Sequence, residues 1–238
     1  MFSIKIADLI IGIDEKYDYV KKFCKDYIVQ SDVNDFCAKA CDDDIEKEYL
    51  AGSGRFSKPY CESICIYREI CKRLPDYDAF LLHAAVIELD GKSYAFTAKS
   101  GTGKSTHIKL WQKVFGQRCR IINGDKPIIR KFGDSFFACG TPWCGKENWQ
   151  TNAISPLVGL CFLERGAENS ISNACPDEIL SRIFHQLFVP QNIDSQNLFF
   201  ALLDDFLKKT PSYILRCNMD ESAALTAFEG MNPHPDST

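Results

Sequence analysis

The run Ala95-Phe96-Thr97-Ala98-Lys99-Ser100-Gly101-Thr102-Gly103-Lys104-Ser105-Thr106 constrains this chain more than any other stretch. An apolar, β-prone lead-in gives way to glycines. A helical pattern follows, with Ile108, Trp111 and Phe115 on one face and Leu110 and Val114 beside them. Strand, glycine loop and helix start in that order predict a phosphate-binding loop. Gly101 and Gly103 permit backbone angles that turn successive N–H groups toward phosphate oxygens, and a helix N-terminus adds positive field. Lys104 would carry charge to the β/γ-phosphates, and the Ser105 hydroxyl would ligate Mg²⁺. Ser100, Gly101, Thr102, Gly103, Lys104, Ser105 and Thr106 are the expected nucleotide contacts. The run departs from the Walker pattern at one place, where Ala98 stands for glycine.

The rest of the composition bounds the class. With 238 residues, 45% apolar and 25% charged, the chain reads as one globular domain of ordinary size or a core with a small accessory unit. Its net charge of −4 lacks the basic field of a nucleic-acid binder. No apolar run approaches the roughly 20 residues of a membrane span. Residues 1–13 carry Lys5 and Asp8 and lack a signal-peptide layout, so the expected location is cytoplasmic. The twelve cysteines include no Cys-x-x-Cys, and buried small apolar residues in a reducing compartment outweigh a metal or cluster site.

Along the chain, near alternation from Phe2 to Ile13 suggests a strand, and Asp14 to Val29 is open between helix and strand. Asp42-Asp43-Asp44 reads as a solvated turn or helix start. Ile64, Tyr67, Ile70 and Leu74 predict a helix over Tyr60 to Leu74, stopped by Pro75, with a domain edge at 75–78. Phe80 to Leu89 and Lys92 to Ala98 read as strands joined at Asp90-Gly91. Arg120 to Asn123 is a buried strand, and a hairpin turns at Gly133-Asp134. Residues 140–153 form a loop rich in Gly, Trp, Lys and Asn. Leu157 to Leu163 reads as a central strand, Pro176 to Phe188 and Ser195 to Lys208 as helices, and Pro211 to Leu215 as a late strand. A closing helix over Asp220 to Phe228, with Asp220 as its cap, precedes a frayed tail over 231–238. Hairpins beside the glycine loop exclude the pattern of a doubly wound parallel sheet.

Three features complete a phosphoryl-transfer constellation. His83 stands on the strand leading into the hairpin. Asp125, in Asn123-Gly124-Asp125-Lys126-Pro127, follows a strand that follows the loop, where such enzymes keep a Mg²⁺ ligand or base. Gly140-Thr141-Pro142-Trp143-Cys144-Gly145-Lys146-Glu147-Asn148 is a candidate lid or substrate loop carrying a cation and a carboxylate.

On these residues the chain resembles the catalytic domain of HPr kinase/phosphorylase and, more distantly, ATP-dependent phosphoenolpyruvate carboxykinase. It looks most like a smaller HPr-kinase-related bacterial group carrying His-Ala, Ser-Gly-Thr-Gly-Lys-Ser-Thr-His, Asp-Lys-Pro and Gly-Thr-Pro-Trp-x-Gly-Lys, here at His83, Ser100 to His107, Asp125 to Pro127 and Gly140 to Lys146. The resemblance spans about residues 78–230. It implies an α/β fold with a mixed sheet, residues 1–77 being an N-terminal accessory unit. It also implies an ATP·Mg²⁺-dependent kinase acting on a hydroxyl of a peptide, protein or small molecule, and homo-oligomerisation. Asp125 would deprotonate or orient the acceptor and share the metal with Ser105. His83 would support Asp125 or the transferred group, and Lys146, with Lys126, would neutralise developing charge. Two departures stand out: HPr kinases carry paired acids where this chain has Gly124-Asp125, and the N-terminal unit does not resemble theirs. A nucleotide-binding sensor without transfer chemistry, favoured by the missing acid, and a carboxykinase-like enzyme are the alternatives.

Overall fold

In the computed structural model, residues 1–99 and 101–232 are described. Ser100, an expected phosphate contact, and residues 233–238, most of the expected tail, lie outside them. The first apolar stretch is two strands, β1 (Phe2–Ile6) and β2 (Leu9–Asp14), rather than one. Ala7 and Asp8 sit at φ 50° and 59° and turn the chain back on itself, a conformation that Ala rarely signals in a sequence. A short helix, α1 (Asp18–Phe23), precedes β3 (Ile28–Val29) and β4 (Phe36–Lys39), which complete a four-stranded sheet in the order β3-β1-β2-β4.

The acidic run opens a helix, α2 (Asp42–Ala51), where its charges complement the positive end. α3 (Lys58–Arg73) follows, capped by Ser57, with Ile66, Ile70, Cys61 and Cys65 buried against the first sheet. The apolar cluster there also takes in Ile128, Cys139 and Trp143 from far later in the chain.

The second sheet holds nine strands. It contains β5 (Ala79–Leu81), β6 (Ala85–Leu89), β7 (Lys92–Thr97), β8 (Cys119–Asn123), β9 (Ile128–Phe132), β10 (Ser135–Cys139), β11 (Ile154–Arg165), β12 (Ser170–Asn173) and β13 (Ser212–Cys217). Its main path runs β5-β9-β10-β11-β7-β6-β8, with β13 on β11 and β12 on β13. Strand β11 pairs antiparallel with β10 through residues 154–156 and parallel with β7 and β13 further on. The fold is therefore mixed α/β. Asp90-Gly91 turns with both φ angles positive, as the sequence predicts.

Helices cover both faces. α5 (Pro176–Ile183) and α6 (Ile193–Lys209) bury Ile183, Phe199 and Phe206 against Ala95, Leu160 and Phe162. On the other face α4 (Lys104–Phe115) and α7 (Ser222–Met231) cover Tyr94, Phe96, Cys161 and Leu163. Alternate residues of β7 and β11 thus enter opposite cores, which is why both read as unbroken apolar runs.

Five further expectations need correction. Phe80 to Leu89 is not one strand: it breaks at residues 82–84, because β5 pairs with β9 while β6 pairs with β7 and β8 elsewhere in the sheet. His83 lies in that crossing rather than on a strand. The helix expected to reach Phe188 ends at Ile183 and closes in a short 3₁₀ turn over Phe184–Gln186. Asp220 does not cap α7; its carboxylate accepts from the Asn218 side-chain amide, 2.9 Å away. Met231, placed in the tail by sequence, is a buried residue of that helix.

Eight of the twelve cysteines are buried, and no disulfide joins any of them among the described residues. Burial pushes the thiols up, to about 12 at Cys24 and Cys139 and about 11 at Cys65 and Cys119, so they act as small apolar groups. No helix among the described residues is long and apolar enough to cross a membrane.

Candidate functional site

The glycine loop leaves the end of β7 and enters α4. Gly101 and Gly103 adopt φ of 78° and 124°, and nothing lies within 4 Å of where a Cβ would stand on either. The loop therefore keeps the conformation only glycine takes easily, above open space. Arg165, at the end of β11, donates to the carbonyls of Gly101 (2.7 Å) and Thr102 (3.4 Å) and ties the loop to the sheet. Thr102 N–H donates to Lys99 O at 3.1 Å. The helix is anchored beneath by His107 and Trp111, both buried, with Trp111 Nε1–H donating to His107 Nε2 at 2.9 Å. Burial lowers the His107 pKa to about 4, so this imidazole is neutral.

Lys104 points back along its own loop, its ammonium 3.3 Å from Ala98 O. Burial pulls its pKa below the ordinary lysine value and Lys126 adds to that, while Asp125 opposes both. Its Nζ also lies 3.3 Å from His83 Nε2. That ring nitrogen is 2.9 Å from Asp125 Oδ1. The three side chains thus form one contiguous group.

His83 is held from both sides. Its N–H donates to Gln186 O (2.7 Å), and its carbonyl accepts from Thr97 Oγ1 (2.9 Å) at the end of β7. The break that removes His83 from a strand is what aims it at the loop.

Asp125 is placed by Asn123, which is fully buried. The Asn123 side-chain oxygen accepts from the N–H groups of Asp125 (2.8 Å) and Lys126 (2.7 Å), and its amide donates to Thr141 O and Oγ1. One buried side chain thereby shapes the turn after β8 and pins it to the 140–148 loop. Burial raises the Asp125 pKa. Hydrogen bonds from His83 and Lys126, with their charges, more than offset this and hold the carboxyl well below the usual range. Lys126 pairs with the second oxygen, Oδ2. Both Asp125 oxygens are therefore engaged.

The 140–148 loop closes against this turn. Gly145, at φ 81°, leaves room that a Cβ would take 3.1 Å from Asp125 Cβ. Glu147 Oε1 accepts from Ser105 Oγ–H at 3.0 Å. Trp143 is not a ligand-facing residue: it stacks on Tyr67 of α3 (centroids 4.1 Å apart, planes 5° apart) and donates to Ser63 O. Tyr67 in turn donates to Lys126 O at 2.8 Å. Helix α3 thus braces both loops of the site.

A cleft of about 630 Å³ results, lined by His83, Lys104, Ser105, Asp125, Lys146 and Glu147, with Thr106 at its helix end. Lys146 is exposed at its rim and joins no hydrogen bond or ion pair with the described residues. A second cleft of about 690 Å³ opens beside the glycine loop toward Arg165, Arg182 and Gln186. Sequence reasoning assigned no role to Glu147, Arg165, Tyr67 or Gln186. Glu147 stood in a loop singled out for its charge; the other three carry no local signal. Two lysines and a glycine loop at a helix start, facing an engaged carboxylate, suit a polyanionic ligand.

No family model matches this chain, and no curated protein matches it. Among solved structures, the Hpr(Ser) kinase/phosphatase from Coxiella burnetii matches over 63% of this chain and 92% of its own, with 8% identity and a TM-score of 0.35. A likeness of that degree carries no argument, so the function rests on this chain's own residues.

Proposed function

We propose that this protein is an ATP·Mg²⁺-dependent kinase that transfers the γ-phosphoryl group to a hydroxyl of a peptide, protein or small molecule. The observation that carries the reading is the meeting of Lys104, His83 and Asp125 at the mouth of the glycine loop. The open space beside Gly101 and Gly103 fits a phosphate chain, because a positive-φ glycine turn at a helix start can aim backbone N–H groups at an anion. The Ser105 hydroxyl would hold Mg²⁺ from the loop, and the cation would supply charge neutralisation of the phosphates.

Each residue then has a task. Lys104, half-buried at the loop with Asp125 as its nearby opposite charge, binds the phosphates. Asp125 is a weak proton acceptor because its pKa is depressed. It orients the acceptor hydroxyl and takes the proton late, as a loose transition state allows. His83 holds Asp125 in place. Lys146 reaches in from the rim to neutralise charge. Residues 78–230 form the catalytic unit in this reading, and 1–77 an accessory unit that braces it.

The first experiment is calorimetric titration of Mg·ATP and Mg·GTP into the wild type and Lys104→Ala. Binding that disappears in the variant supports the reading; wild-type protein that binds neither nucleotide overturns it. One observation favours a sensor without transfer: both Asp125 oxygens are engaged in the free protein. Transfer of labelled phosphate to any hydroxyl acceptor excludes that alternative.

A further inference from the structure

The nucleotide reading leaves a chemical gap. Mg²⁺ on a nucleotide commonly takes one or two carboxylates, phosphate oxygens and waters. The carboxylate expected for this role, Asp125, gives Oδ1 to His83 and Oδ2 to Lys126. Binding a cation there would break the pairing with Lys126 and set the cation beside two positive groups, Lys126 and Lys104. Among the described residues no cluster of three His, Cys, Asp or Glu offers a cage either.

Glu147 fills the gap from another loop. Its Oε1 lies 3.0 Å from Ser105 Oγ, the hydroxyl expected to hold the cation, and both line the same cleft. Among the described residues its carboxylate pairs with no cation and accepts only from Ser105. Octahedral Mg²⁺ with bonds near 2.1 Å places neighbouring oxygens about 3.0 Å apart. The two oxygens therefore already stand at the spacing of adjacent ligands. Ser105 would keep its proton and turn it away from Glu147, freeing a lone pair on each oxygen.

We infer that Glu147 is the carboxylate ligand of the nucleotide-bound divalent cation, together with Ser105, and that it replaces the second acid missing beside Asp125. The inference rests on the nucleotide reading above. It assigns the two acids separate tasks: Asp125 serves the acceptor and Glu147 serves the metal. The 140–148 loop then senses metal·nucleotide directly, since Glu147 accepts from Ser105 and, two residues earlier, Gly145 lies where an added Cβ would crowd Asp125.

The test uses the full chain, ATP and Mn²⁺, with bound Mn²⁺ read by electron paramagnetic resonance. Metal-free ATP affinity is measured separately in EDTA. Glu147→Gln should weaken Mn²⁺ binding to the protein·ATP complex at least about tenfold, the loss that changing even an outer-shell partner of a metal ligand brings, and leave metal-free ATP binding unchanged. Asp125→Asn should leave Mn²⁺ affinity near the wild-type value. Glu147→Asp, which keeps the charge and shortens the reach, should fall between. Wild-type Mn²⁺ affinity in Glu147→Gln overturns the assignment, as does a loss confined to Asp125→Asn. If the wild type binds no ATP with or without Mn²⁺, the nucleotide reading itself fails. If it binds both and Glu147→Gln is silent, only the Glu147 assignment fails.

Discussion

His83 Nε2 and Asp125 Oδ1 lie 2.9 Å apart although 42 residues separate them in the chain. The pair sits where a break between β5 and β6 faces the turn after β8. If Asp125 orients the acceptor, Asp125→Asn should lower turnover by roughly 10²–10⁴-fold and leave Mg·ATP affinity nearly intact. Paired calorimetry and phosphate-transfer assays decide. Lost binding with retained turnover per bound complex would remove Asp125 from the chemistry.

The same carboxyl makes stability depend on acid. Its folded pKa is depressed, so its contribution is present above the ordinary aspartate range and lost as pH falls below about 4. Thermal melts from pH 5 down to roughly pH 2 should fall more steeply for the wild type than for Asp125→Asn. Parallel curves would show that the pairing with His83 and Lys126 contributes nothing net.

His107 gives a second, separate pH window. Its imidazole is held neutral with a pKa of about 4 by burial. The unfolded chain takes up a proton near pH 6.5 and the folded one does not, so stability drops as pH falls from about 6.5 to 4. His107→Gln keeps an acceptor for Trp111 Nε1–H and should flatten that part of the curve. His107→Leu should instead lower stability at neutral pH by about 1–3 kcal/mol, since it strands the buried indole N–H. Denaturant titrations across this range distinguish the two.

Asn123 joins two loops through one buried amide. Asn123→Ala leaves the N–H groups of Asp125 and Lys126 without partners, at about 1–3 kcal/mol for each buried group left unpaired. Urea denaturation should show a loss of several kcal/mol. A variant as stable as the wild type would mean that water replaces the amide.

Trp143 links the 140–148 loop to α3 by stacking on Tyr67. Trp143→Ala should destabilise by about 3–5 kcal/mol. Tyr67→Phe keeps the stack, loses only the hydroxyl bonded to Lys126 O, and should cost about 0.5–1.5 kcal/mol. Because one apolar cluster spans the first sheet, α3 and Trp143, the wild type should unfold in a single transition seen by both fluorescence and circular dichroism. Two separated transitions would show that residues 1–77 fold independently.

What short-range chemistry controls is legible along the chain. The glycine loop, the amphipathic start of α4, the Asp90-Gly91 and Gly133-Asp134 turns and the apolar run of β11 follow from positive-φ residues and from spacing within a few positions. The Ala7-Asp8 turn escaped that logic because Ala7 carries no turn signature and Asp8 stands without a neighbouring glycine. The tertiary structure decided everything that depends on strand order. It split Phe80 to Leu89 at His83, because its two halves pair with different neighbours. It set Glu147 on Ser105, Arg165 on the loop carbonyls and Tyr67 under Lys126. Those contacts join residues dozens of positions apart, and which of them meet is fixed by sheet pairing and core packing, which no local pattern encodes.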